Sequence, residues 1–288
     1  MATLLGTQQE HANWRDYLQL SKPRVVLLML ITSLVGMFLA TRAGVAWPVL
    51  VFGNLGIGLC AGAAAAVNHV LDRHIDALMA RTHKRPVTAG RISPAAALGF
   101  ALLLAVAGMA LLLTFTNELA AWLTLASLLG YAVLYTGFLK RATPQNIVIG
   151  GAAGAAPPVL GWAAISNTVD PYALLLFLII FVWTPPHFWA LAIFRRDDYA
   201  RALVPMLPVI YGVTYTRWQI LFYTVLLFVV TLLPWLTGMS GLLYLGCAVA
   251  LGARFLRWAW VLYRDSQPHA AINTFKYSIW YLFLLFIA

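Results

Sequence analysis

The sequence predicts an all-α membrane protein with nine transmembrane helices. Hydrophobic residues make up 62% of the chain and charged residues 10%, and the mean hydropathy is +0.83, which lies outside the range of soluble domains. Apolar runs long enough to cross a bilayer recur along the whole length. They cover roughly residues 24–42, 47–71, 94–115, 119–138, 145–165, 172–193, 217–237, 241–262 and 273–288.

These runs leave no room for a sizeable soluble domain. Residues 1–20 are a short polar segment, which we expect to be partly frayed, and residues 21–288 form one polytopic domain. Cys60 and Cys247 both lie inside apolar runs and have neither a metal-ligand spacing nor a disulfide pattern. We therefore expect both to be buried apolar residues.

Charge asymmetry predicts the orientation of the helices. Cations precede the first run and follow the second, fourth, sixth and eighth runs, whereas the connections on the opposite side carry Glu118, Asp170 and, among cations, Arg42 alone. This distribution places the N-terminus in the cytoplasm and the C-terminus outside. The net charge of +10 is thus a topology signal. It does not indicate a nucleic-acid partner, because no basic run is interleaved with exposed aromatic residues.

A polar motif at the end of the second run predicts a metal site. Asn68, Asp72 and Asp76 follow one another at steps of four, and a step of four drifts by about 40° around a helix. All three side chains should therefore share one face, where their oxygen atoms suit a hard cation such as Mg²⁺.

The residues after this motif predict what the metal binds. The segment RTHKRP supplies Arg81, Lys84 and Arg85, and such cations bind diphosphate oxygens. An allylic diphosphate with a farnesyl or longer tail is anionic at one end and apolar at the other. Mg²⁺ and the cations would neutralise the charge that builds on its leaving group, while the tail would lie among the helices.

A second polar loop follows the sixth run. It contains Asp197, Asp198 and Tyr199 among several arginines. By itself such a loop is typical of a solvated connector. Because it lies on the same predicted side as the first motif, we expect the two loops to face one cavity.

Four stretches resemble the protohaem IX farnesyltransferases, within the UbiA intramembrane prenyltransferase superfamily. They are SKPRVV at 21–26, NHVLDRHIDALMARTHKRPVTAGRIS at 68–93, WTPPHFWALAI at 183–193 and DYARALVPMLPV at 198–209. A fifth stretch, LKRATPQNIVIGGAAGAAPPVLGW at 139–162, also resembles the family. The likeness extends over nearly the whole chain, and the motifs occur in the same order.

The resemblance implies a fold and an activity. The fold is a bundle around a central cavity that opens to the cytoplasmic side. The activity is transfer of a farnesyl group from farnesyl diphosphate to a vinyl group of haem B, with addition of water, which gives haem O and diphosphate. The implied cofactor is Mg²⁺. The implied candidate partners are haem A synthase or a terminal oxidase. The positive-inside charge pattern favours the bacterial cytoplasmic (inner) membrane as the setting.

The resemblance also implies roles for individual residues. Asn68, Asp72 and Asp76 are the expected catalytic and metal-binding residues. The expected diphosphate ligands are Arg81, Lys84 and Arg85. Lys22 and Arg24, at the start of the first run, are further candidates, with anchoring at the membrane surface as the alternative.

In the second loop the chain departs from the pattern of many superfamily members. It has adjacent Asp197 and Asp198 and no second D-x-x-x-D, which puts a symmetric second metal site in doubt. We expect Asp198 either to bind Mg²⁺ through water or to hold an arginine in position.

His187 and Tyr199 are the candidate haem-binding residues. An ionisable residue inside a membrane helix tends to face a cavity, so His187 is a candidate to ligate the iron or to bind a propionate. The alternative is a neutral histidine bonded to a carbonyl that Pro185 and Pro186 free by loosening the helix.

Two other functions remain open at this stage. A UbiA-type enzyme that acts on an aromatic or quinone-precursor acceptor would share the aspartate motif and the topology. A membrane transporter of haem or of a lipophilic anion would also have polar residues in a cavity, but it would not need carboxylates spaced for Mg²⁺.

Overall fold

Helices account for all the regular secondary structure in the computed structural model, which describes residues 12–265, 267 and 269–288. No β-strand occurs among these residues. The first six helices are α1 (Trp14–Leu20), α2 (Pro23–Leu39), α3 (Val49–Leu71), α4 (Arg73–Ala77), α5 (Pro94–Phe115) and α6 (Glu118–Leu139), which a helical turn at Lys140–Ala142 follows. The remaining helices are α7 (Asn146–Ser166), α8 (Pro171–Phe194), α9 (Arg196–Arg201), α10 (Leu207–Ile210), α11 (Gly212–Leu236), α12 (Leu242–Tyr263) and α13 (Ala270–Ile287).

Eight helices in the described part of the chain are long and apolar enough to cross a membrane. The pair α1 and α2, which meet at a bend of 50°, meets the same criterion when counted as one span. The predicted all-helical membrane architecture is therefore confirmed, with nine spans when this pair is included. Among the eight single-helix spans, the largest boundary difference is in α11, which begins at Gly212, because the polar residues between 212 and 217 continue the helix beyond the apolar run.

The connections with most of the cations lie together at one end of the bundle, which we call the polar end. Met79, Ile147, Val204, Leu207 and Ala270 come from four connections or helix starts at this end and belong to one buried apolar cluster. Their packing brings residues 78–93 (the 78–93 loop), the start of α7, the α9–α10 segment and the start of α13 against one another.

Small residues let α2 and α7 pack closely. A Cβ atom at Gly36 would lie 2.1 Å from the Pro158 carbonyl oxygen, and one at Gly161 would lie 2.1 Å from the Ser33 carbonyl oxygen. The two backbones therefore approach each other so closely that only glycine fits at these positions. The helix is interrupted at Ala156, just before the paired prolines.

Two local predictions are corrected. Pro185 and Pro186 do not interrupt α8, which runs on to Phe194 because its neighbours pack it on several sides. Residues 14–20 are helical and not frayed, because Asn13 caps the helix and Leu20 is fully buried. The part of the predicted polar segment at residues 1–11 lies outside the described residues.

Candidate active site

A cavity of about 160 Å³ opens at the polar end. Residues from α3, α4, α6, α8, α9 and the 78–93 loop line it. Its polar lining consists of Lys22, Asn68, Asp72, Asp76, Arg81, Thr82, Arg85, Tyr131, Tyr135, Lys140 and Tyr199. Two carboxylates and four cations therefore meet in one small space.

The Asn68–Asp72–Asp76 motif lies on one side of this cavity, as predicted. The α-helix proper ends at Leu71 and resumes at Arg73, yet the four-residue repeat continues across the junction. The Asp72 amide donates to the Asn68 carbonyl at 3.0 Å, and the Asp76 amide donates to the Asp72 carbonyl at 2.8 Å. The three side chains are at most 4% exposed.

Each buried carboxylate has a cationic partner. Lys140 Nζ lies 2.5 Å from Asp72 Oδ2, and Arg85 Nη1 lies 2.7 Å from Asp76 Oδ2. Removal of either cation would leave a buried charge without its partner, which is costly in free energy. Each carboxylate therefore has a cation within hydrogen-bonding distance that balances its charge.

Asn68 connects the two sides of the cavity. Its Oδ1 atom accepts from Lys22 Nζ at 2.6 Å, and its Nδ2 atom donates to Asp72 Oδ2 at 2.8 Å and to Thr136 Oγ1 at 3.3 Å. These partners fix the orientation of the amide, since one end meets a cation and the other a carboxylate.

The donors present fit Mg²⁺ bound together with a phosphate group. Asp72 Oδ1 is buried and accepts no hydrogen bond from any residue that the structure describes, so it is available to bind a cation. Within the described residues no group of three or more His, Cys, Asp or Glu side chains converges on one point. Mg²⁺ is commonly bound by one or two carboxylates together with substrate phosphates and water, and Asp72 and Asp76 match that pattern.

A π-helical segment brings Lys140 into the cavity. The hydrogen bonding of α6 is π-helical from Gly130 to Leu139, and Tyr135 and Lys140, five residues apart, both line the cavity. At 3.6 residues per turn a step of five separates two side chains by roughly 140° around an α-helix. In a π-helix each residue is hydrogen-bonded to the residue five positions away. Tyr135 and Lys140 are therefore brought to the same side of α6.

The role of Lys140 was not predicted from the sequence, where this residue counted only toward the charge asymmetry. The signal available was its place in the LKRATPQN stretch at the end of the fourth run. Tyr131, a second missed residue, lies one helical turn before Tyr135, and the two rings are 5.4 Å apart. Together with Phe188 they form an aromatic wall.

The second loop contributes Tyr199 to the cavity but not Asp198. Asp198 Oδ1 lies 2.5 Å from Arg201 Nη2, and Asp198 Oδ2 lies 3.6 Å from Arg195 Nη1. Of the two expected roles, holding an arginine is the one that this geometry matches. Asp197 is exposed.

The protonation state of Tyr199 follows from its surroundings. Burial raises the pKa of its hydroxyl, although Arg81 and Arg195 act in the opposite direction. Tyr199 is consequently a neutral hydrogen-bond donor at physiological pH.

Besides Asp198, three predicted site residues lie outside the cavity lining. Arg24 and Lys84 are exposed at the surface. His187 is buried between α8 and α13, where it stacks on Trp183 at 4.2 Å and lies 4.6 Å from the Phe275 ring.

The hydrogen bonds between His187 and Ser278 define the tautomer of the histidine. The Ser278 hydroxyl donates to the Phe275 carbonyl at 2.7 Å, so its oxygen accepts from His187 Nδ1, also at 2.7 Å. The single proton of a neutral imidazole is then on Nδ1. The partner is thus a serine of α13 and not a carbonyl freed by the prolines.

Solved structures of low sequence identity share this fold. A digeranylgeranylglyceryl phosphate synthase aligns with a TM-score of 0.78 at 19% identity, covering 95% of each chain. A UbiA homologue from Archaeoglobus fulgidus bound to GPP and Mg²⁺ aligns with a TM-score of 0.69 at 16% identity, covering 94% of this chain and 98% of the homologue.

Curated relatives are far more similar in sequence. A protein from Ectopseudomonas mendocina named protoheme IX farnesyltransferase is 77% identical over 288 residues, covering 100% of this chain and 96% of the relative. One of the same name from Azotobacter vinelandii is 74% identical with the same coverage. Residues 29–287 match the UbiA prenyltransferase family. With the aspartate motif, the cationic cavity and the helical bundle in place, the chain belongs to the UbiA prenyltransferase family.

Proposed function

We propose that the protein transfers the farnesyl group of farnesyl diphosphate to a vinyl group of haem B, with addition of water, to give haem O and diphosphate. The observation that carries this proposal is the pair of buried carboxylates, Asp72 and Asp76, opposed by Lys140 and Arg85 in a cavity of an apolar bundle. The choice of haem B and farnesyl diphosphate rests on the names of the relatives described above.

Asp72, Asp76 and Asn68 would hold Mg²⁺, with Asp72 Oδ1 as the ready ligand. Bound there, Mg²⁺ supplies Lewis-acid neutralisation of the diphosphate leaving group. Lys140, Arg85, Arg81 and Lys22 then bind phosphate oxygens, because the carboxylates no longer need them for charge balance. Lys84 and Arg24 remain predicted diphosphate ligands that would have to reach the substrate from the surface.

Bond making and breaking follow from this arrangement. The bond between C1 of the farnesyl group and oxygen breaks, and its electron pair leaves with diphosphate. The faces of Tyr131, Tyr135 and Phe188 stabilise the allylic cation and keep water away from it. The π electrons of the haem vinyl group form the new carbon–carbon bond. Water captures the cation left beside the ring and loses a proton.

Tyr199 and His187 are the proposed haem contacts. Tyr199 would donate to a propionate from the cavity lining, as a neutral phenol. His187 lies outside the cavity lining, so the haem would have to reach it between α8 and α13. There it would offer Nε2 to the iron, since Nδ1 carries the proton. Asp198 acts through Arg201 and Arg195, and we include it as a catalytic-site residue in this indirect sense.

The proposed setting is the bacterial inner membrane, with the polar end in the cytoplasm, the N-terminus inside and the C-terminus outside. Cations dominate the polar-end connections, as the positive-inside rule requires. The proposed partners are haem A synthase or a terminal oxidase, which would consume the product.

The proposal is tested by mass analysis of haem extracted from membranes that contain this protein, haem B, farnesyl diphosphate and Mg²⁺. We expect a product heavier by one farnesyl group and one hydroxyl group, since the captured water loses a proton. It should be absent with EDTA and in Asp72→Asn. Asp197→Asn, which changes an exposed acid outside the cavity, should leave it unchanged.

Other outcomes would identify a different function. Unchanged haem B, with diphosphate release when 4-hydroxybenzoate is supplied, would indicate an enzyme with an aromatic acceptor. Absence of diphosphate release with any acceptor would contradict a prenyltransferase and favour transport.

A further inference from the structure

The segment 13–22, which comprises α1 and the turn into α2, contacts the cavity region at two separate points. At its end Lys22, in a left-handed conformation with φ 49°, reaches Asn68. Near its start Asp16 reaches the 78–93 loop. The segment therefore links the carboxylate side of the cavity to the loop that carries Arg81 and Arg85.

Both carboxylate oxygen atoms of Asp16 accept hydrogen bonds. Oδ2 accepts from the Asn13 amide at 3.1 Å and completes the capping box of α1. Oδ1 accepts from Arg91 Nε at 3.0 Å. The Asp16 side chain is 8% exposed and that of Arg91 is 22% exposed, so water screens this pair less than it screens a surface ion pair.

Arg91 continues the connection into the loop. Its Nη2 donates to the Lys84 carbonyl at 3.2 Å, and its amide donates to the Pro86 carbonyl at 2.9 Å. These bonds close the turn that contains Arg85, and Arg85 holds Asp76. A chain of direct contacts therefore runs from Asp16 to the metal-binding motif.

Apolar packing supports the same contact. Leu20 of α1 is fully buried and lies in one cluster with Val87 and Ile92 of the loop. Tyr17 packs edge-on against Phe100 of α5, with ring centroids 5.2 Å apart. The loop consequently lies on α1, and Asp16 supplies the charged contact of this interface.

We infer that Asp16 and Arg91 are positioning residues for diphosphate binding, which hold the 78–93 loop so that Arg81 and Arg85 face the cavity. The inference rests on the proposed function, in which these two arginines bind diphosphate. Neither Asp16 nor Arg91 lines the cavity, so their effect reaches the substrate through the loop.

The test compares Asp16→Asn, Arg91→Gln and the double variant in membranes. Each single variant should raise KM for farnesyl diphosphate by roughly tenfold, an effect of the size expected for two residues in direct contact. Because both substitutions break the same contact, the double variant should raise KM no more than one single variant does. KM for haem B and kcat should change less than twofold. Arg217→Gln, which breaks the Arg217–Asp265 pair at 2.6 Å, is the matched control and should leave KM unchanged.

Hydrogen exchange on the purified full chain gives a readout that does not depend on activity. Exchange of residues 85–92 should accelerate in Asp16→Asn, while that of α5 stays constant. Equal exchange in wild type and variant, or additive effects in the double variant, would overturn the inference. If the wild type binds radiolabelled farnesyl diphosphate but leaves haem B unchanged, the proposed acceptor is wrong. The positioning role is then judged by binding and exchange alone.

Discussion

At the scale of single residues, two lysines with similar positions in the sequence have different roles, because only one of them reaches the cavity. Lys140 and Lys84 both follow apolar runs on the same predicted side. Lys140 is the partner of Asp72 at 2.5 Å, whereas Lys84 is exposed and contributes a backbone carbonyl to Arg91. The sequence predicted a basic cluster that includes Lys84 next to the aspartates, whereas the contact of Lys140 with Asp72 depends on how the helices pack.

Lys140→Met should lower kcat/KM for farnesyl diphosphate by about a hundredfold, the size typical of losing one charge-stabilising donor. The substitution also leaves Asp72 buried without its cation. Steady-state diphosphate release in membranes measures the effect. Lys276→Met, which changes an exposed lysine outside the cavity, is the control. Equal activity of the two variants would contradict a role for Lys140 in the site.

At the scale of helices, close packing and local irregularity position the site. Span lengths were predictable from the apolar runs, since a bilayer requires about 20 such residues per crossing. The π-helical segment Gly130–Leu139 was not predictable, because no residue pattern in it differs from that of an ordinary apolar helix. Tertiary packing around α6 determines this geometry.

The α2–α7 contact gives a prediction at this scale. Gly161→Ala should lower the free energy of unfolding of the detergent-purified protein by about 1–3 kcal/mol. The reason is that the alanine Cβ would lie 2.1 Å from the Ser33 carbonyl oxygen. Gly154→Ala in the same helix meets no atom within 4 Å and serves as the control. The fluorescence melting temperature of each variant is the measurement. Identical melting temperatures for the two variants would show that α2 and α7 can move apart to accept the extra methyl group without loss of stability.

At the scale of the whole molecule, the charge distribution predicts which end of the bundle faces the cytoplasm. Lys84→Cys, at the polar end, should react with a membrane-impermeant maleimide only in inverted vesicles. Ala43→Cys, exposed in the connection between α2 and α3 at the opposite end, should react only in right-side-out vesicles. A background in which Cys60 and Cys247 are replaced removes competing thiols. Labelling of both positions from one side would contradict the predicted topology.

The sequence by itself determined the membrane class, the number of spans and the aspartate motif. These depend on apolar length and on a four-residue repeat, which are properties of the chain read in order. Tertiary structure alone decided which polar residues meet. Lys140 pairs with Asp72 across 68 positions, and Arg91 pairs with Asp16 across 75. It also buried His187 against Ser278, 91 positions away. Pairs so distant in the chain form because helix packing brings them within hydrogen-bonding distance, and a buried charge is stable only where its partner has been brought to it.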